Sequence, residues 1–203
     1  MFKWLLFVFL FCAGICSSAQ TDEALKAHVP KGYKMLFHYE ADLNRDSIKD
    51  QLMILGFDHS LGDSVLKKLF PGNKNYQQRI LIILLGQDDY IHYTEAGRND
   101  KAIVQNLGGQ DPFSNILCTP GIFTIQHVIA DGTQKCTVSA RFEWIPKQKD
   151  WYLTSYSHTC AAANVLPGSE GEVFKEKTPK NFGKLRFEKY KYPMDIEIDE
   201  WGQ

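Results

Sequence analysis

The chain lacks a large net charge of either sign. Lys and Arg number 23 against 24 Asp and Glu, so the formal charge at pH 7 is −1. A protein without a basic excess has no general attraction for phosphate backbones. The composition therefore argues against a nucleic acid as partner.

Long apolar runs are missing after the first nineteen residues. Lys3 and the apolar stretch 4–15 are typical of a signal peptide, which we place at residues 1–19. A lipoprotein anchored through Cys16 and an uncleaved anchor are the alternatives. No later run has the length that spans a bilayer. We therefore expect an exported protein, periplasmic or secreted, with no transmembrane segment in its mature part, residues 20–203.

Catalytic motifs and internal repeats are missing as well. No Gly-x-Ser-x-Gly, His-Glu-x-x-His or glycine-rich phosphate loop occurs. No repeat unit recurs, which excludes a complete β-propeller. The sequence thus leans against an enzyme. The alternative is a small secreted hydrolase that pairs an aspartate with His92, His127 or His158, the first of which follows Asp88 and Asp89.

The segment 42–50 has the one specific chemical pattern in the chain. Oxygen-bearing side chains occupy positions 1, 3, 5 and 9 of this loop, as Asp42, Asn44, Asp46 and Asp50. Calcium takes six to eight oxygen ligands from such a loop, usually with a backbone carbonyl at position 7, here Ile48. Position 12 is Met53, so the bidentate Glu of an EF-hand is missing. We predict a Ca²⁺ site with a Kd of roughly 10⁻⁵ to 10⁻³ M.

Two departures from the pattern leave an alternative open. Position 6 is Ser47 rather than Gly, although the sharp turn favours a positive φ there, at a cost of ~1–2 kcal/mol. Arg45 and Lys49 reduce the negative field of the loop. The alternative is a plain polar turn, in which Asp and Asn side chains bind their own backbone.

The segment Ala41–Asp50 resembles the Gly-Asp-Leu-Asn-x-Asp-Gly-x-x-Asp calcium loops of FG-GAP and VCBS-type repeats, the integrin-type loops. The resemblance implies four side-chain ligands, Asp42, Asn44, Asp46 and Asp50, while Ala41 and Ser47 stand where that pattern has glycine. The chain is also similar to exported bacterial proteins of unknown function with one such loop. The matching segments are Leu81–Gly86, Asp111–Phe113, Asp150–Leu153 and Thr178–Gly183. These resemblances imply a non-catalytic accessory domain that binds a protein or a glycan.

Hydrophobic periodicity predicts a mainly β protein. Alternation before the loop and the apolar run Gln51–Leu55 after it place the loop between two strands. Arg79–Leu85 is apolar on both faces, which predicts a central strand. Short helices are expected at Gln20–His28 and Asp63–Phe70. We predict one domain over residues 20–203, an antiparallel β-meander arranged as a sandwich or an open barrel-like sheet.

Residues 115–160 have the clearest strand pattern. Turn signals at Pro120-Gly121 and Asp131-Gly132 and a loop at 146–150 separate three strands, Ile122–Ile129, Gln134–Ile145 and Trp151–Cys160. A two-residue turn at Asp131-Gly132 adds Phe123, Ile125 and His127 to the apolar face of Val138, Ala140 and Phe142. After these strands, 161–183 is predicted to be loop. Two closing strands are expected around Leu185 and Phe187 and around Ile196 and Ile198.

The last hairpin also predicts a disulfide. Folding it about Gln148 sets Trp144 opposite Tyr152 and Cys136 opposite Cys160. A disulfide there contributes roughly 3 kcal/mol if unstrained. The alternative is a zinc site, in which His127 and His158 join the two cysteines. It is less favoured, because thiols are oxidised in the compartments to which proteins are exported.

Overall fold

The computed structural model describes residues 23–72, 78–89, 91–107, 109–130, 132–162 and 172–194. Within these ranges the strands are β1 (Tyr33–Ala41), β2 (Asp50–Phe57), β3 (Ile80–Gly86), β4 (Tyr93–Asn99), β5 (Phe113–Thr119), β6 (Ile122–Ala130), β7 (Gln134–Ile145), β8 (Asp150–Ala162) and β9 (Val173–Lys177). Strands β1–β4 form one sheet and β5–β9 a second, each in sequence order and antiparallel throughout. The predicted antiparallel β-meander is confirmed.

Helices are few and short in the described part of the chain. They are the α-helices Asp63–Leu69 and Pro179–Phe182 and the 3₁₀ turns His59–Leu61 and Phe187–Lys189. The helix predicted at Asp63–Phe70 is thus confirmed. Residues 23–26 are helical, while the start of the helix predicted at Gln20–His28 lies outside the described residues, as do residues 1–19 and Cys16. None of the helices described is long and apolar enough to cross a membrane.

Strand β3 is covered on both faces, as its composition predicts. Leu81 and Ile83 belong to the core that the two sheets share. Ile80 and Ile82 belong to a second cluster, which Leu25 from the N-terminal segment covers. β3 lies between β2 and β4 and so has no free edge. Because neither of its faces is exposed to solvent, its run of apolar residues is unbroken.

The shared core joins both sheets into one sandwich-like unit. Most of the alternating residues predicted to face inward on β6 and β7, among them Phe123, Ile125, Ala140 and Phe142, are buried, while Cys136 is partly buried. They pack in one cluster with Leu52 of β2. Period-two patterning therefore identified the buried face correctly.

The β7–β8 hairpin differs from the predicted register close to its turn. Trp144 faces Trp151 rather than Tyr152, and a bulge at Thr154 of β8 lies opposite Arg141 and Phe142. The extra residue of the bulge restores the predicted register further along. Cys136 faces Cys160 as predicted, and the two form a disulfide.

The β6–β7 connection is wider than the predicted two-residue turn. Ala130 faces Lys135, two positions further along than a two-residue turn would give. A shift of two keeps every side chain on its face, so His127 still points inward. It faces Val138 rather than Cys136, and the prediction that His127 lies beside Cys136 is wrong.

The C-terminal part of the chain departs most from the prediction. Residues 161–183 were predicted as loop, yet β9 and the helix Pro179–Phe182 lie there. The strand is exposed along most of its length, and it is held by backbone pairing with the edge of β8 rather than by an apolar pattern. Phe187 lies in a 3₁₀ turn instead of a strand, whereas Ile196 and Ile198 lie outside the described residues.

Candidate metal site and neighbouring polar clusters

The loop 42–49 connects β1 to β2, the strand–loop–strand setting that the flanking patterns predict. Its acidic and amide side chains turn back onto the loop itself. Asp42 accepts hydrogen bonds from the backbone N–H groups of Asp46 and Ser47, both at 3.1 Å. Asn44 accepts from Asp46 at 3.0 Å, and Asp46 accepts from Ile48 at 2.8 Å. These contacts fit both the calcium interpretation and the plain-turn interpretation.

The backbone of the loop turns through left-handed conformations at two residues. The φ angles are 64° at Arg45 and 71° at Ser47. The sequence predicted a strained position at Ser47, and the structure adds Arg45. Each costs ~1–2 kcal/mol relative to glycine, so the loop holds a costly shape that the surrounding contacts must stabilise.

The positive side chains of the loop point to carboxylates outside it. Arg45 forms an ion pair with Glu143 at 3.0 Å, and Lys49 pairs with Glu40 at 2.5 Å. Both cations are thus balanced by other partners. The dilution of the negative field expected from the sequence is correspondingly smaller.

Asp50 is the buried member of the predicted ligand set. One of its carboxylate oxygens accepts from Leu43 N–H at 2.6 Å and the other from Gly86 N–H at 2.9 Å. The pKa of Asp50 is raised to about 6, first by burial and then by the negative charges of Asp46 and Asp42, against the lowering effect of the two hydrogen bonds. The three acidic groups therefore repel one another across the loop.

Backbone contacts fasten this loop to the other sheet. Leu43 is fully buried in the shared core, and its carbonyl accepts from the Trp151 indole at 2.9 Å. The carbonyl of Asp42 accepts from Gly121 N–H at 2.8 Å. Sequence reasoning missed both partners, because only the fold brings the β5–β6 turn and the start of β8 to the loop.

The predicted ligands share one loop but their carboxylates are not tightly gathered. Over the described ranges, one group of three His, Cys, Asp or Glu ligand atoms lies mutually within 4.8 Å, and it is Cys136, His158 and Cys160. Asn44 donates to Asp46 at 2.6 Å, which occupies one oxygen of that carboxylate. Ile48, the predicted backbone ligand, lies between Asp46 and Asp50 and binds Asp46 through its N–H.

The histidines considered for hydrolysis lie in three separate places. His92 pairs with Asp89 on an exposed loop, and the hydrogen bond from His92 lowers the pKa of Asp89 to about 2. His127 is buried and stacked on Tyr192, with ring centroids 3.8 Å apart. Burial lowers its pKa to about 3. His158 lies beside the disulfide, where Cys160 Sγ is 3.5 Å from its ring nitrogens.

A cavity of about 380 Å³ opens away from residues 42–50, which we call the calcium-type loop. Its lining includes Gln78, Asp100, Lys101 and Tyr192 but no histidine. Asp111 is the aspartate whose charge affects the pKa of His127. Its carboxylate accepts two hydrogen bonds from Arg79, of 3.0 and 2.6 Å. This cavity therefore brings together no histidine–carboxylate pair.

Comparison of the chain with protein-family models, curated proteins and solved structures finds no match. The interpretation of the loop therefore depends on its own residues and their contacts.

Proposed function

We propose that the protein is an exported, non-catalytic binding domain in which residues 42–50 hold a structural Ca²⁺. The observation that carries the proposal is the position of this loop. It carries three carboxylates and an amide oxygen on the β1–β2 connection, which meets the five-stranded sheet through Leu43 and Trp151. A cation there would neutralise acidic groups that otherwise repel one another, and it would lock the junction of the two sheets.

The hydrogen bonds within the loop are compatible with an ion. An ionised carboxylate has about four acceptor positions on its two oxygens. Asp42 uses one on each oxygen for backbone N–H groups, and Asp50 does the same. Such bonds orient the oxygens and leave further lone pairs for Ca²⁺, which accepts ligands at 2.3–2.6 Å in flexible geometry.

The disulfide is compatible with export of the protein. The Cys136–Cys160 disulfide is a bond that persists in oxidising compartments. Free calcium outside cells suits a site of weak affinity. The partner that we propose, a protein or a glycan, follows from the resemblance of the loop to calcium-loop families alone.

Thermal unfolding with and without calcium tests the proposal. For a Kd near 10⁻⁴ M, 10 mM Ca²⁺ is about 100 times Kd and stabilises by about 2.7 kcal/mol, which raises Tm by about 5–10 °C in a domain of this size. Asp46→Ala should abolish this rise. Asp58→Ala is the matched control, because Asp58 is an acidic cap outside the loop, and its Ca²⁺ shift should equal that of the wild type. Equal shifts in all three proteins would contradict the proposal.

The secreted hydrolase is the second candidate, favoured by the hydrogen bond between His92 and Asp89 alone. Hydrolysis by this pair would require turnover of an ester, amide or glycoside that disappears in His92→Ala. The same activity should survive in Asp46→Ala, since that residue belongs to the loop. Turnover with this pattern would replace the non-catalytic assignment.

A further inference from the structure

We propose that Cys136, His158 and Cys160 form a binding site for a thiophilic divalent metal such as Zn²⁺. The site becomes available when the disulfide between the two cysteines is reduced. The site is distinct from the calcium-type loop in position and in donor chemistry. Sulfur and nitrogen donors select zinc-like ions, while carboxylates select calcium.

The strands place the three donors together. Cys136 and Cys160 face each other across β7 and β8. His158 is two residues before Cys160 on β8, and alternate residues of a strand point to the same side. One ligand atom from each of the three residues lies within 4.8 Å of the other two. His127, which the sequence placed in such a site, faces Val138 and is not needed.

The spacing between His158 and Cys160 matches tetrahedral zinc. Bonds of about 2.3 Å to sulfur and 2.0–2.1 Å to nitrogen, at a tetrahedral angle, separate the two ligand atoms by about 3.5 Å. Both ring nitrogens of His158 lie 3.5 Å from Cys160 Sγ, so rotation of the imidazole can direct either one to the metal. Three protein ligands leave a fourth position for water.

The charges also balance once the disulfide is open. Two thiolates carry two negative charges, which a divalent ion neutralises. The same two sulfurs either bond to each other or bind a metal, and the redox state of the pair therefore decides whether the site exists.

A phosphine reductant is suited to the test because it opens the disulfide without offering a thiol to the metal. The phosphine takes the oxygen of one water to become a phosphine oxide, and the two protons of that water end on Cys136 and Cys160 sulfur. Zinc then displaces these two protons. Cys118→Ser serves as the background protein, since Cys118 is a free cysteine outside the site.

Zinc titration against a chromophoric chelator should show one Zn²⁺ per reduced chain and no saturable binding to the oxidised chain. His158→Ala should weaken binding at least about tenfold, whereas His92→Ala, an exposed histidine elsewhere, should leave it unchanged. Co²⁺ in place of Zn²⁺ should give thiolate charge-transfer absorption that Cys136→Ser removes. Equal affinity in the reduced and oxidised proteins, or an unchanged His158→Ala, would overturn the proposal.

Loss of the disulfide can itself unfold the chain, and circular dichroism separates the two effects. If the reduced protein is unfolded without metal, Zn²⁺ must restore its β signal, because an ion that binds only the folded state pulls the equilibrium toward it. A reduced chain that remains unfolded in excess Zn²⁺ would refute the site. Calcium responses of the oxidised protein are unaffected by either outcome.

Discussion

The carboxylate of Asp50 accepts hydrogen bonds from two separate segments, the loop at Leu43 and the end of β3 at Gly86. It is fully buried and close enough to Asp42 and Asp46 for their charges to raise its pKa. A group with a raised pKa holds its proton more tightly in the folded state than in the unfolded state. Its contribution to stability is therefore fully present below the ordinary pKa of 3.8 and is lost as the pH rises through about 6.

Without calcium, the free energy of unfolding should fall by about 2 kcal/mol between pH 4 and pH 7 through Asp50 alone. Urea denaturation of the wild type and Asp50→Asn at both pH values measures this contribution as the difference between the two proteins. The pKa of His127 is lowered to about 3, so this residue makes the free energy of unfolding rise with pH. The effect is the same in both proteins and cancels in their difference.

Saturating Ca²⁺ should reverse the pH dependence of the wild type, because the metal binds the ionised carboxylate. Parallel pH profiles for wild type and Asp50→Asn in calcium-free buffer would show that Asp50 titrates normally. That outcome would remove the charge repulsion on which the calcium proposal is built.

At the scale of single elements, two bulges decide which residues meet. In β1 the register shifts between Met35 and Phe37, so Met35 packs in the cluster below the four-stranded sheet and Tyr39 against the shared core. The bulge opposite Arg141 and Phe142 has the same effect in β8, where Thr154 is the extra residue, and it leads to the pairing of Cys136 with Cys160. A bulge turns a strand's later residues to the opposite face.

The end of β3 must approach the calcium-type loop closely, and Gly86 allows it. A Cβ at this position would lie 2.4 Å from the Lys49 carbonyl oxygen, which is backbone and cannot rotate away. Gly86→Ala should therefore destabilise the protein by about 1–3 kcal/mol. It should also weaken calcium binding, since Gly86 N–H orients Asp50.

Gly97→Ala is the matched control for Gly86→Ala. A Cβ at Gly97 in β4 would meet its nearest atoms at an ordinary contact of 3.4 Å. Urea denaturation and isothermal calorimetry with Ca²⁺ should show a small stability change and unchanged affinity. If both alanine variants bind calcium like the wild type, the contact between β3 and the loop has no role in the site.

For the whole molecule, the calcium-type loop acts as a junction between the two sheets. It begins where β1 ends in the four-stranded sheet, and it is fixed to the five-stranded sheet by Trp151 and Gly121. The ion pair between Arg45 and Glu143 adds a third link. Binding an ion in the loop should therefore stabilise the packing of the sheets and not only the loop.

Trp151→Phe tests this coupling. Loss of the indole N–H leaves the buried Leu43 carbonyl without its donor and should cost about 1–3 kcal/mol, with a smaller calcium-induced rise in Tm. Trp144→Phe is the control, because Trp144 packs against Trp151 in the same core and does not hold the Leu43 carbonyl. A calcium shift reduced equally in both variants would mean that general packing, rather than the junction, supports the loop.

Much of the strand pattern could be predicted, because side-chain alternation records burial directly. Ile122–Ala130, Gln134–Ile145 and Asp150–Ala162 match their predicted strands to within a few residues. β9 could not be predicted, since Val173–Lys177 has exposed side chains and depends on pairing with β8.

Sequence alone determined the mainly antiparallel β architecture, the buried faces and the pairing of Cys136 with Cys160. It also singled out Asp42, Asn44, Asp46, Ile48 and Asp50 as a candidate calcium site. These features follow from local periodicity and spacing. Only the tertiary structure decided that Gly86, Gly121 and Trp151 hold this loop between two sheets and that His158 rather than His127 lies beside the disulfide. Long-range contacts of this kind depend on bulges and turn lengths, which shift register without changing the hydrophobic pattern.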